Sequence, residues 1–122
     1  MQDNKGKNLI VDLSFNFSIK IIRYADLLEN ERKYIIAKQL FRSGTSIGAN
    51  VREAQNAESK MDFIHKLKIA AKEADETEYW LLLCRHSEGY ANCDELIGIC
   101  TSIIRVLSKI IGSSKTKRMI KL

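Results

Sequence analysis

QLFRSGTSIGANVREA, residues 39–54, decides how the rest of the chain is read. Its glycines, Gly44 and Gly48, and its hydroxyl residues, Ser43, Thr45 and Ser46, have the composition of a loop that cradles phosphate. A phosphate loop of the GxxxxGK(S/T) kind needs a strand before it and a lysine after its second glycine. Here the second glycine is followed by Ala49, and Ala37, Leu40, Gly44, Ile47, Val51 and Ala54 keep a 3-4-3-4-3 spacing straight through the stretch. That spacing is the apolar seam of a helix. Each glycine inside a helix costs about 1 kcal/mol relative to alanine, so close approach of a neighbouring helix is the expected reason for Gly44 and Gly48. A second stripe, Gln39, Ser43, Ser46, Asn50 and Glu53, runs beside the first at 4-3-4-3 spacing. Short polar side chains in such a row predict burial with hydrogen bonds rather than solvation. Gln39, Arg42, Ser43, Gly44, Ser46, Gly48, Asn50 and Glu53 are therefore read as a helix-packing or subunit-contact face.

Working outward, Phe17, Ile21, Tyr24 and Leu28 mark a first helix over about Leu13 to Leu28, and the helix containing the opening stretch starts near Glu31. Phe63, Leu67, Ala70, Ala74, Thr77, Leu81 and Cys84 mark a third, opened by Ser59 with Asp62 as a capping box and stopped near Ser87 to Gly89. Asn92 with Glu95 opens a fourth, whose stripe is Leu96, Ile99, Ile103, Val106 and Ile110 and whose end is Gly112. There is no proline, and only 6 glycines interrupt the 122 residues. Four helices with short connections predict an all-α, up-down-up-down antiparallel four-helix bundle. The bundle is placed at 13–112, between a flexible segment at 1–12 and a basic tail at 113–122.

Hydrophobic content of 45% and charged content of 29% suit one soluble domain. Apolar runs are short against the roughly 20 residues of a bilayer span, so no membrane contact is expected. Three cysteines at unpaired spacings predict reduced thiols and a cytoplasmic location. The net charge is +5, and the last ten residues carry Lys115, Lys117, Arg118 and Lys121 with no acid. Such a tail is either solvated or directed at an anionic partner such as RNA or DNA. Helix three carries Lys60, Lys66, Lys68 and Lys72 first and Glu73, Asp75, Glu76 and Glu78 later, against its own dipole. An antiparallel hairpin turning near Glu58 accounts for that order. It brings Arg42 to Asp75 and Glu76 as an ion-pair cluster, and Lys38 to Glu78 and Tyr79. The four lysines of helix three and the four cations of the tail are the candidate nucleic-acid contacts.

Groups for chemistry do not converge. His65 and His86 are roughly 30 Å apart along one helix, and Cys84 or Cys93 with His86 lacks a third orienting group. The Arg-then-His motif of HEPN-type ribonucleases is missing, since His86 directly follows Arg85 and His65 has no arginine at the required distance. No catalytic, metal or cofactor residue and no small-molecule substrate is expected.

The opening stretch, continued by SKMDFIHKLKIAAKEADETEYWLLL, resembles the bacterial four helix bundle protein family encoded in intervening sequences of 23S ribosomal RNA genes. The matching elements are Gln39-Leu40, Arg42-Ser43, Ser46-Ile47, Asn50 and Glu53, then Asp62-Phe63, Leu67, Ile69-Ala70, Glu73, Glu76, Glu78 and Leu81. Ala54 departs from the pattern, where many members have glycine. The resemblance implies a homopentameric ring, and because no enzymatic activity is established for the family it carries over no catalytic residue. It also implies distant similarity to the accessory protein of diversity-generating retroelements, a basic bundle that works with a reverse transcriptase and nucleic acid. Two roles follow as expectations: nucleic-acid or nucleoprotein binding through basic surface, or a protein-binding adaptor whose charge serves solubility.

Overall fold

Four unbroken apolar rows fold as four helices. The computed structural model describes the backbone of residues 5–121 and the side chains of residues 9–115. α1 spans Lys5–Asn30, α2 Tyr34–Gln55, α3 Lys60–Arg85 and α4 Asp94–Lys121. α2 packs on both α1 and α3, α3 packs on α4, and α4 returns to α1 with the slightest contact; among the described residues the diagonal pairs do not approach. This is the antiparallel four-helix bundle that the spacing predicts.

The seams of α2 and α3 are buried at every position named from the sequence, from Ala37 to Ala54 and from Phe63 to Cys84. On α1 the row is longer than expected. Ile10, Ser14, Phe17, Ile21, Tyr24 and Leu28 are all buried, at 4-3-4-3-4 spacing. The segment taken as flexible is therefore helical from Lys5 and adds Ile10 to the core. Burying a side chain of that size contributes about 1.5–3 kcal/mol.

The other departure lies in α4. Its buried row is Cys93, Leu96, Cys100, Ile103 and Leu107, while Ile99, Val106 and Ile110 are only half-buried beside it. Small thiols let α3 come close: the Cys93 and Cys100 sulfurs lie 3.3 Å from the carbonyl oxygens of Leu81 and Ala74. Gly112 does not end α4, which continues to Lys121. Short apolar runs had argued against any span, yet Asp94–Lys115 reaches a mean hydropathy of 1.6, long and apolar enough to cross a bilayer by composition.

The helix ends explain the chain reversals. Ser59 Oγ accepts from the Asp62 N–H at 3.0 Å, and the Asp62 carboxylate accepts from the Glu58 N–H at 3.3 Å. At the start of α4, Asn92 Oδ1 accepts from the Asp94 N–H at 3.0 Å, while Glu95 reaches away to Lys20 at 3.6 Å instead of closing a box. α1 stops in a Schellman arrangement. The Lys33 N–H donates to Leu28 and the Arg32 N–H to Glu29, both at 2.9 Å, with Arg32 at φ 63°. That turn delays α2 to Tyr34, three residues later than the spacing implied.

Candidate functional site

The two stripes of α2 face two different helices. A methyl carbon added at Gly44 would sit 2.7 Å from Ile21 Cγ2, and one at Gly48 would sit 3.2 Å from Ser18 Oγ and 3.3 Å from the Ser14 carbonyl oxygen. The close neighbour expected from the glycines is thus α1. Of the polar stripe, Ser43 alone is buried, against α3; Gln39, Ser46 and Asn50 are half-buried and Glu53 is exposed, so the expected burial of the whole row does not hold. Ser43 and Thr77 share a buried hydrogen bond of 2.8 Å, and the single Thr77 proton serves the Glu73 carbonyl at 2.7 Å, so Ser43 is the donor between them. Ser46 Oγ donates to the Arg42 carbonyl at 2.6 Å and Asn50 Nδ2 to the Ser46 carbonyl at 2.9 Å, both within α2. Glu53 pairs with Lys66 at 3.0 Å, which holds the Lys66 ammonium above the usual lysine range. Gln39 Oε1 accepts from Arg42 at 3.4 Å.

The ion-pair cluster forms with one substitution of partner. Arg42 pairs with Glu76, as expected, and with Glu73 at 3.3 Å in place of Asp75. Register alone gives the level of a partner, whereas rotation about α3 chooses the face. Glu73, Glu76 and Trp80 follow at steps of three and four on the α2 side, and Asp75 is exposed. The Trp80 indole N–H donates to Glu76 at 2.9 Å. Lys38 does not face Glu78 either; it lines a groove on the α1 side with Asp26 and Glu29. Glu78 instead accepts from Thr101 at 3.2 Å.

Among the described residues, the three thiols are all shifted away from the reactive thiolate. Burial pushes the Cys84 thiol up to about 11 and the Cys100 thiol up to about 12, and it raises Cys93 as well. The Tyr24 hydroxyl is also raised by burial, and it donates to the Ala91 carbonyl at 2.7 Å. Among the described residues, no group of three or more His, Cys, Asp or Glu side chains is placed to hold a metal ion.

The basic residues divide by face. Lys60, Lys68 and Lys72 are exposed, whereas Lys66 turns toward α2 and Glu53. Lys115 is exposed on α4, and the side chains of Lys117, Arg118 and Lys121 lie outside the described ones. Antiparallel packing brings the two basic groups to one end of the bundle. The contacts of Gly44 with Ile21, Ser43 with Thr77 and Cys100 with Ala74 mark one level across the helices. On the side holding the start of α3 and the end of α4 (5–20, 45–72 and 101–121) there are fourteen Lys and Arg against four Asp and Glu. On the other side (21–44 and 73–100) there are six against ten.

Two further surfaces were not found from the sequence. An apolar groove of about 400 Å³ runs between the outer flanks of α1 and α2, with Phe15, Ile22 and Ala49 in its lining, and Phe15 is 60% exposed. A cavity of about 530 Å³ opens where the α1–α2 turn meets the end of α3, lined by Arg32, Lys33, Tyr34, Trp80 and Tyr90 among others. The seven-residue step from Phe15 to Ile22, off the α1 seam, was the available signal for the groove. The cavity joins residues from three distant parts of the chain and leaves no local pattern.

The family model of the 23S rRNA-intervening sequence protein matches residues 6–111. A solved structure from Bacteroides thetaiotaomicron, described as a protein with unknown function from the S23 ribosomal protein family, is 44% identical. The match covers 88% of this chain and 98% of that one, with a TM-score of 0.83. No curated protein matches.

Proposed function

Because the chain belongs to the 23S rRNA-intervening sequence protein family, we propose that it is a non-enzymatic, self-assembling bundle that engages nucleic acid through its basic end. The observation that carries this reading is the segregation of charge along the bundle, fourteen cations against four acids at one end and six against ten at the other. A polyanion attracts such an end through counterion release, without needing a shaped pocket. Lys60 and Lys115 on the described surface, with the further cations that α4 carries to Lys121, supply phosphate contacts. Phosphate contacts position a nucleic acid without reading its sequence.

Self-assembly rests on the α1–α2 groove. Exposed apolar side chains such as Phe15, Ile22 and Phe41 along this flank favour a covering surface. A second copy of the chain is that surface in this reading, and the family resemblance favours a pentameric ring. The groove supports a second reading, in which a different protein covers it and the chain acts as an adaptor.

Titration with a structured RNA at several salt concentrations tests the main reading. The logarithm of affinity should fall linearly with the logarithm of salt, and neutralising Lys115, Lys117, Arg118 and Lys121 together should flatten the slope by about 3. No binding at low ionic strength, or binding indifferent to salt, overturns it. Light scattering tests assembly: a wild-type monomer at micromolar concentration removes the ring. Capture of one protein from a nuclease-treated lysate by that monomer favours the adaptor.

A further inference from the structure

Arg32 stands in the left-handed region at φ 63°, a conformation that favours glycine. Beyond α3 the chain uses Gly89, at φ 80°, for the same kind of backbone. The α1 stop therefore keeps a long cationic side chain where glycine would relieve strain. Among the described residues no carboxylate lies within ion-pair reach of its guanidinium. Arg32 lines the cavity of about 530 Å³ between the α1–α2 turn and the end of α3.

The other walls of that cavity have complementary chemistry. Tyr34, Trp80 and Tyr90 supply aromatic surface. The Lys33 ammonium sits 4.7 Å from the centre of the Tyr90 ring, and Trp80 is oriented by its hydrogen bond to Glu76 and an edge contact with Tyr79 at 5.4 Å. Gln39 has its amide oxygen engaged by Arg42, so the face it offers a ligand is the N–H one. We propose that this cavity binds a nucleoside phosphate, with the base on the aromatic walls, its acceptor edge toward the Gln39 amide, and the phosphate between Arg32 and Lys33.

Charge selects that class over a nucleic-acid strand. The cavity lies in the half of the bundle where acids outnumber bases ten to six. A strand long enough to leave the cavity meets those carboxylates, whereas a single phosphate meets the two cations at the wall and one carboxylate, Glu31, 3.8 Å from the Lys33 ammonium. The volume is within the roughly 300–1,000 Å³ of small-molecule sites. This inference does not rest on RNA binding at the opposite end, and either can fail alone.

Trp80 is the chain's one tryptophan, so intrinsic fluorescence reports on this cavity directly. The full-length protein is titrated with AMP, and in parallel with adenosine and with inorganic phosphate. The expected result is a saturable change with AMP at submillimolar concentration, and binding about tenfold weaker for adenosine and for phosphate. Arg32→Gly removes the guanidinium and suits the backbone, so its melting temperature should equal or exceed the wild-type value. Its AMP affinity should fall about tenfold. Tyr90→Leu, checked for folding by circular dichroism, should also weaken AMP. No saturable response into the millimolar range overturns the proposal. So does undiminished AMP affinity in a folded Arg32→Gly protein, or equal binding of all three probes. A response to an acidic aromatic peptide but not to AMP would reassign the cavity to peptide and likewise overturn it.

Discussion

α2 meets α1 and α3 by opposite means. Toward α1 it removes side chains, so that Gly44 lies against Ile21 and Gly48 against the Ser14 backbone. Toward α3 it keeps polar side chains and joins them in pairs, Ser43 with Thr77, Arg42 with Glu73 and Glu76, Glu53 with Lys66. The first contact is specified by shape: a carbon added at Gly44 must displace Ile21, and one at Gly48 needs Ser14 or Ser18 to give by a few tenths of an ångström. The second is specified by donors and acceptors and fails only when one partner is left alone. A single helix thus has two neighbours that cannot exchange places, which helps fix the order of packing in a bundle of similar apolar seams.

The largest effect should come from filling the α1 contact. Gly44→Val places branched carbon where Ile21 already lies, in a core with no slack, and should destabilise by about 3 kcal/mol despite the gain in helix propensity. Urea unfolding with an unchanged slope is the check. A loss below about 1 kcal/mol would mean that α1 shifts easily and shape does not specify this side.

Next comes the buried pair on the α3 side, where the two substitutions should be unequal. Thr77→Val leaves the Ser43 hydroxyl buried without its acceptor and should cost about 2 kcal/mol. Ser43→Ala leaves Thr77 still bonded to the Glu73 carbonyl and should cost about 1 kcal/mol or less. Equal losses would contradict the assigned direction of the hydrogen bond.

The smallest effect belongs to the ion pair. Arg42 and Glu76 side chains are 48% and 34% exposed, so solvent screens their attraction. A double-mutant cycle with Arg42→Ala and Glu76→Gln should give a coupling of about 0–1 kcal/mol that shrinks with salt. A clearly larger, salt-resistant coupling would make charge, not the hydroxyl pair, the specifying contact on this side.

The seams of α2 and α3 were legible because no proline breaks them and small or polar members such as Gly44 and Thr77 keep phase with the apolar ones. α4 was harder for the opposite reason. Isoleucines at 97, 99, 103, 104, 110 and 111 make it apolar nearly all round, so more than one row satisfies the period. Cys100, a weak hydrophobe on paper, belongs to the true one, with its sulfur 3.3 Å from the Ala74 carbonyl oxygen of α3. The start of α1 was hard to read because Leu9, Ile10 and Val11 are consecutive apolar residues that single out no row, and of the three only Ile10 is buried. Glu73 was missed beside Asp75 because two residues along a helix turn the side chain by about 200°. The basic lysines were visible, but their gathering at one end required the direction of each helix.

That gathering has a dynamic consequence. A rod with cations at one end and carboxylates at the other possesses a permanent electric moment along its axis. Near a polyanion such a rod experiences torque before it touches, and turns its positive end forward. The orienting field reaches about 10 Å at 0.1 M salt and about 30 Å at 0.01 M. Dilute buffer therefore lengthens the distance over which an encounter is aligned, and most arrivals are end-on before any side chain has met its phosphate.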